Sequence, residues 1–292
     1  MPTSASATVA TETGSPLRQF ARRHPVTLYL LLVFGLGVPL MSLPVLAARG
    51  VIPGGSLPAA VGLDVERAAA LLLTLGALLP AAVIVTALEG GRPAVAALFR
   101  RMAIWRIGAG WWVVVLVALP ALTVALALLL GDRLLPLGLD GLADELGGFL
   151  LGFLLVNLWE EASWAGFMQT RLEQRHHLYV AAALTAIPFA AIHVPLQVIN
   201  GVTAPLQLLA GFAMLSVLAI VVRSYFGLVM RGTGGSLLAV GVAHTIFNRS
   251  NNTDGIAARL LEGGHRQVAA LVATLLLTVV LGVALRRRSA HS

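Results

Sequence analysis

The chain has 292 residues, of which 58% are hydrophobic and 11% charged, with a mean hydropathy of +0.88. An ordinary soluble domain carries about twice that share of charge, so the composition excludes one and describes a polytopic membrane protein. The net charge of +7 does not mark a nucleic-acid partner, because the basic residues sit at the edges of apolar runs and report topology. The absence of cysteine removes disulfides, thiolate zinc sites and cysteine nucleophiles.

Residues 1–24 are rich in Ser, Thr, Ala and Pro and turn basic at Arg18, Arg22, Arg23 and His24. They read as a disordered cytoplasmic tail; the apolar core of a cleavable signal peptide would begin sooner. Apolar stretches approaching the roughly 20 residues that a bilayer demands fall near 26–47, 67–88, 109–130, 146–168, 178–196, 206–222, 234–248 and 267–285. The predicted fold is therefore all-α, a polytopic bundle of about eight transmembrane helices with a polar intramembrane cavity. Residues 25–144 supply the N-terminal helices, 145–250 the core, and 251–292 the last helix and a basic C-terminal tail. The seventh stretch is the shortest, and the sixth is followed by a second apolar patch around Tyr225 to Met230. No internal repeat stands out.

The connections alternate in arginine content, as the positive-inside rule requires. Arg18, Arg22 and Arg23 lie in the tail; Arg92, Arg100, Arg101 and Arg106 in the second connection; Arg171 and Arg175 in the fourth; Arg223 and Arg231 in the sixth; Arg286, Arg287 and Arg288 at the end. Opposite them, the third connection is mainly acidic and the fifth, near Gln197 to Pro205, is uncharged. Both termini are expected in the cytoplasm, and the setting expected is a bacterial plasma membrane. The seventh connection fits least well: it holds Arg249, Arg259 and Arg266, diluted by Asp254 and Glu262.

With the interfacial arginines set aside, few ionisable residues remain at membrane depth: Glu160 and Glu161 in the fourth helix, His193 in the fifth and His244 in the seventh, with Asn248 as an amide neighbour. A charge inside a bilayer costs several kcal/mol unless it faces a cavity and finds partners, so these residues are functional candidates by default. Adjacent residues on a helix point about 100° apart, so Glu160 and Glu161 serve different points, whereas His244 and Asn248, at i and i+4, share a face. At about 1.5 Å per residue, the three helices offer their polar groups at comparable depth.

Each group has a structural alternative, as an interhelical hydrogen-bonder, a cap or an arginine's partner. The conjunction on three helices favours water activation. A desolvated carboxylate is a strengthened base toward bound water, a neutral imidazole can hold that water, and a second His with an amide can donate to the oxyanion formed on a carbonyl. Glu160, His193 and His244 could instead ligate zinc, although no HExxH spacing is present. Ser163 lacks the GxSxG turn of a serine nucleophile. A non-catalytic membrane scaffold, or a proton-coupled transporter using the same buried acid, are the competing classes.

The arrangement resembles the CAAX protease and bacteriocin-processing (CPBP, Abi) family of intramembrane proteases. Its motifs are Glu-Glu-x-x-x-Arg, Phe-x-x-x-His and His-x-x-x-Asn or Asp on successive helices. Here they correspond to Glu160-Glu161 through Ala165, Phe189 through His193, and His244 through Asn248. The resemblance covers about residues 145–250. It implies a glutamate-dependent intramembrane endopeptidase opening toward the cytoplasm, with Glu160 and His193 activating water, His244 and Asn248 forming the oxyanion site, and Glu161 and Phe189 in support; no cofactor is expected, with zinc as the alternative. Its substrates would be membrane-associated or lipidated peptides or proteins within the bilayer, such as the prenylated CAAX proteins cut by eukaryotic members. The sequence departs from the pattern at Ala165, which stands where the motif has arginine. Glu161 is therefore expected to lack its ion-pair partner, and an unpaired buried carboxylate tends to hold its proton.

Overall fold

The computed structural model describes residues 15–60 and 62–290. Of the expected tail, residues 1–14 lie outside these. Residues Pro16–Arg23 form a helix, α1, rather than a disordered segment, because Ser15 accepts from the Arg18 amide at 3.3 Å and Pro16 suits a first helical turn. Pro25 then starts α2 (Pro25–Ala48) in the same way.

Six further long helical segments follow: α3 (Val65–Ala103, kinked at Gly91), α4 (Ala109–Leu129), α5 (139–172), α6 (Leu178–Ile199), α7 (Pro205–Gly232) and α8 (Leu237–Asn251). The short α9 (Ile256–Leu260) and the terminal α10 (Arg266–Ser289) complete the chain. A single two-residue pairing, Arg133–Leu134 against Leu261–Glu262, is antiparallel. The all-α bundle expected from the sequence is the observed class.

Among the described residues, six helices are long and apolar enough to cross a membrane, not eight. The two that fall short are α5 and α8, which carry the acids and the His/Asn pair. Glu160 and Glu161 lie within α5, and α8 runs for 15 residues. Function thins the hydropathy signal where polar groups must be carried into the bundle.

The rod α5 divides the interior. Trp164, Phe167 and Met168 pack with Tyr29, Val33, Leu73 and Ile192 on one side, while Phe153, Leu158 and Ala165 join the cluster of Val115, Tyr225, Phe226 and Leu237 on the other. A helix wedged between two apolar clusters is buried all round, and residues 160–169 are buried without interruption. Two π-helical turns, Phe153–Asn157 and Trp164–Gln169, flank the acids. Such turns insert an extra residue and re-aim side chains, and they recur at functional sites.

Charge separates the two ends of the bundle. At one end Arg171 holds Glu89 (Nε to Oε2, 2.9 Å), Arg231 holds Glu173 (2.9 Å) and Arg22 donates to the Glu89 carbonyl. At the other end Arg249 is clamped by Glu145 (2.6 Å) and Asp254 (3.1 Å), Arg259 meets Asp144 (3.3 Å) and His265 meets Asp132 (2.8 Å). The arginines of the seventh connection that blurred the topology signal are thus largely neutralised by acids of their own end.

Gly241 allows α8 to approach α5 closely: a Cβ there would stand 3.1 Å from the Leu158 Cα and 3.3 Å from the Phe153 ring. A Gly241→Leu substitution is expected to destabilise the protein by roughly 1–3 kcal/mol through overpacking against backbone, read as a lowered melting temperature in detergent. An unchanged melting temperature would show that α8 is not held this tightly.

Candidate active site

The expected site residues meet on one cavity of about 350 Å³, whose walls include Glu160, Phe189, His193, His244 and Asn248. The two acids of α5 take different surroundings, as their 100° separation requires. Glu160 faces the cavity and is 6% exposed, with no hydrogen bond or ion pair to its side chain among the described residues. Glu161 is fully buried beneath it.

Glu161 is not unpaired. Arg223 reaches it with both ends of its guanidinium, at 2.8 Å to Oε2 and 2.6 Å to Oε1. By its position near the end of an apolar run Arg223 is expected among the interfacial arginines; α7 instead runs unbroken from Pro205 to Gly232 and carries Arg223 into the bundle, 1% exposed. Its guanidinium also lies 4.7 Å from the centroid of the Phe189 ring and 5.2 Å from that of Phe226. The signal available in the sequence was the apolar patch from Tyr225 to Met230 that continues beyond this arginine. Arg223 therefore supplies from another helix the cation that Ala165 cannot supply from α5. A bidentate guanidinium is the closest pairing a buried carboxylate can have.

The same carboxylate orients His244, whose Nδ1 lies 2.7 Å from Glu161 Oε1. A carboxylate bound to a guanidinium is an acceptor only, so Nδ1 carries the proton and Nε2 is left for the cavity. His193 is set in a parallel manner by a different partner. Pro195, at the start of the second part of α6, cannot continue the backbone ladder, and the helix breaks at His193. The His193 amide turns to the Ala190 carbonyl (3.2 Å), and the Phe189 carbonyl, left without that amide, takes the His193 Nδ1 proton at 2.6 Å. The Phe189 ring lies 4.4 Å from the imidazole and packs edge-on to Trp164. Phe189 thus supports the site with its carbonyl and its ring.

Asn248 and His244 share a face of α8 but do not touch a common protein atom. The Asn248 amide donates to Asn157 Oδ1 (3.4 Å), and Asn157 in turn donates to Thr245 Oγ1 (3.0 Å). Asn157, buried one turn before Glu160, escaped the sequence reading although an intramembrane amide on the acids' own helix was a legible signal. Ser163 is fully buried and donates to the Trp159 carbonyl at 3.2 Å, the helix-internal bond of a packing hydroxyl.

Glu160, His193 and His244 line one cavity, yet among the described residues no three His, Cys, Asp or Glu side chains come together as metal ligands. The direction of opening differs from expectation. The cavity runs from Glu160 and Arg223 toward Glu66, Asn251 and Asn252 at the acid-rich end, whereas the resemblance placed it toward the arginine-rich end. On the arginine-rich side the buried Trp164, Phe167, Met168 and Gln169 close the floor.

Residues 142–250 match the family model described as Type II CAAX prenyl endopeptidase Rce1-like. No curated protein matches the chain.

Removing one member of a buried ion pair leaves the other charge uncompensated, at a cost of about 3–5 kcal/mol. Arg223→Met is expected to lose stability on that scale in detergent melts, and Glu161→Gln with Arg223→Met to recover a substantial part of it. A double variant no more stable than Arg223→Met alone would rule out the pair as the reason Arg223 matters.

Proposed function

We propose, from the match of residues 142–250 to the CAAX prenyl endopeptidase family model, that this chain is an intramembrane endopeptidase that uses water activated by Glu160 and His193. The observation that carries the reading is the pairing of an uncommitted carboxylate, Glu160, with two imidazoles whose Nδ1 atoms are already engaged, all on one cavity.

The chemistry follows from the donors and acceptors. A water between Glu160 and His193 donates one proton to the carboxylate and the other to His193 Nε2, which is an acceptor because Nδ1 donates to the Phe189 carbonyl. Both lone pairs of the water oxygen then remain for a substrate carbonyl carbon. As the oxygen attacks, Glu160 takes its proton as general base; as the tetrahedral intermediate collapses, the same proton passes to the departing amine. The products are one carboxyl and one amino terminus.

The developing oxyanion is met by the second hydrogen of the Asn248 amide and by His244. Nδ1 of His244 is held by Glu161, which fixes the imidazole beside the oxyanion position with Nε2 toward the cavity. Arg223 holds Glu161 in place for that task. The substrate is a membrane-associated or lipidated peptide or protein. The path uses no metal; zinc bound stoichiometrically after purification and lost with His193 and His244 would overturn it.

The scaffold and transporter readings drew their support from Ala165. With Arg223 paired to Glu161, the site no longer has the defect that favoured them.

Purified protein is expected to cleave members of a panel of lipidated and transmembrane peptides. Glu160→Gln should lower kcat by roughly 10²–10⁴-fold and Asn248→Ala by roughly 10²–10³-fold, with melting temperatures retained. Full activity in Glu160→Ala would eliminate the mechanism, and proton flux coupled to a solute and lost at Glu160, without peptide cleavage, would replace it with transport.

A further inference from the structure

We propose that the mouth of this cavity lies on the non-cytoplasmic face of the membrane, so that the substrate is an extended segment of a polypeptide already translocated across the bilayer or anchored with that segment outside. The inference rests on the peptidase reading for its substrate class and on chain direction for its geometry.

Glu66 and Asn252 line the opening and Asn200 is bonded to Glu66 beside it, and all three sit at the same end of the bundle. Glu66 is in the first turn of α3, Asn200 follows the last residue of α6, and Asn252 follows the last residue of α8. All three are exposed, and Asn200 donates to Glu66 at 3.3 Å, which ties two helices at the rim. The opposite ends of these helices run into the arginine-rich connections. α3 ends beside Arg100 and Arg101, α6 begins after Arg175, and α8 begins after Arg231. The mouth and the arginine clusters are therefore at opposite ends of every helix that lines the opening.

Burial runs in the same direction. Arg223, His244 and Glu160 are 1%, 5% and 6% exposed at the bottom, and Trp164, Phe167 and Tyr29 are fully buried beyond them. An adjoining chamber shares Asn157, Asn248 and Asn252 with the site and reaches Arg67 and Asp254, also at the acid-rich end. The apolar wall between rim and site, formed by Leu196, Leu215 and Leu218, suits an extended apolar segment entering lengthwise.

The sign of the field orients the molecule. At the mouth end Asp64, Glu66, Asp132, Asp140, Asp144, Glu145, Asp254 and Glu262 outnumber Arg49, Arg67, Arg133, Arg249, Arg259 and Arg266. At the other end, among the described residues, only Glu89 and Glu173 accompany the remaining unburied arginines. Arginine-rich short connections stay in the cytoplasm during insertion. A site reached from the acid-rich end is then beyond the reach of a peptide held in the cytoplasm.

The chain has no cysteine, so single cysteines report sidedness without background. In spheroplasts of a bacterial expression host, Asn252→Cys and Asn200→Cys should react with a membrane-impermeant maleimide, and Arg175→Cys only after permeabilisation. Labelling of Arg175→Cys alone in intact spheroplasts overturns the proposal, as does labelling of Asn252→Cys only after permeabilisation. For the substrate side, water-soluble fluorogenic peptides from the cleaved set are added to right-side-out vesicles. Cleavage without permeabilisation, silent in Glu160→Ala, supports the proposal, and cleavage only after permeabilisation overturns it. Absence of cleavage even in detergent instead removes the peptidase reading and, with it, the substrate class; the maleimide pattern still decides which face the mouth is on.

Discussion

The salt bridge between Arg223 and Glu161 is the constraint on which the site depends. Two charges have been taken out of water into a helix bundle, which is tolerable only with close, bidentate geometry and further contacts for each partner. The guanidinium gains two aromatic faces, Phe189 and Phe226, and the carboxylate gains the Nδ1 proton of His244. One interaction thereby joins α5, α7 and α8 and touches α6 through Phe189. Loss of the pair would release four helices from a common reference at the position where their polar groups must agree.

The division of labour between the adjacent acids follows from this pair. Glu161 is immobilised by Arg223 and orients the His244 imidazole; Glu160, with no hydrogen bond or ion pair to its side chain among the described residues, faces the cavity, the arrangement on which its proposed role rests. Two carboxylates one residue apart thus receive separate roles from environment alone, in the manner by which acid and base functions are divided in other two-carboxylate sites. The two imidazoles are fixed by unlike means, a carboxylate for His244 and a carbonyl freed by a proline-induced break for His193. Both routes leave Nε2 toward the cavity.

Much of the site could be read from the chain. Glu160, His193, His244 and Asn248 stood out because ionisable and amide groups at membrane depth are costly, and they do line one cavity. Arg223 did not stand out, since an arginine near the end of an apolar run has the same local appearance whether it faces water or turns into the bundle. Ala165 compounded the error by suggesting that Glu161 lacked a cation, when the cation had moved to another helix. The π-helical turns were hidden because they depend on how α5 packs between two apolar clusters, whereas Asn157, an amide at membrane depth on the acids' own helix, was legible.

Composition and hydropathy by themselves determined a helical membrane bundle, since no other structure satisfies the backbone in lipid, and the spacing of charges determined which ends of the helices lie together. The sequence also determined that Glu160 and Glu161 must face different ways, because helical geometry fixes that angle. Only the tertiary structure decided which cation neutralises Glu161, which nitrogen of each histidine is free, and toward which end the cavity opens. Those three depend on contacts between residues tens of positions apart, such as the pairing of residues 161 and 223, and local pattern carries no record of such distances.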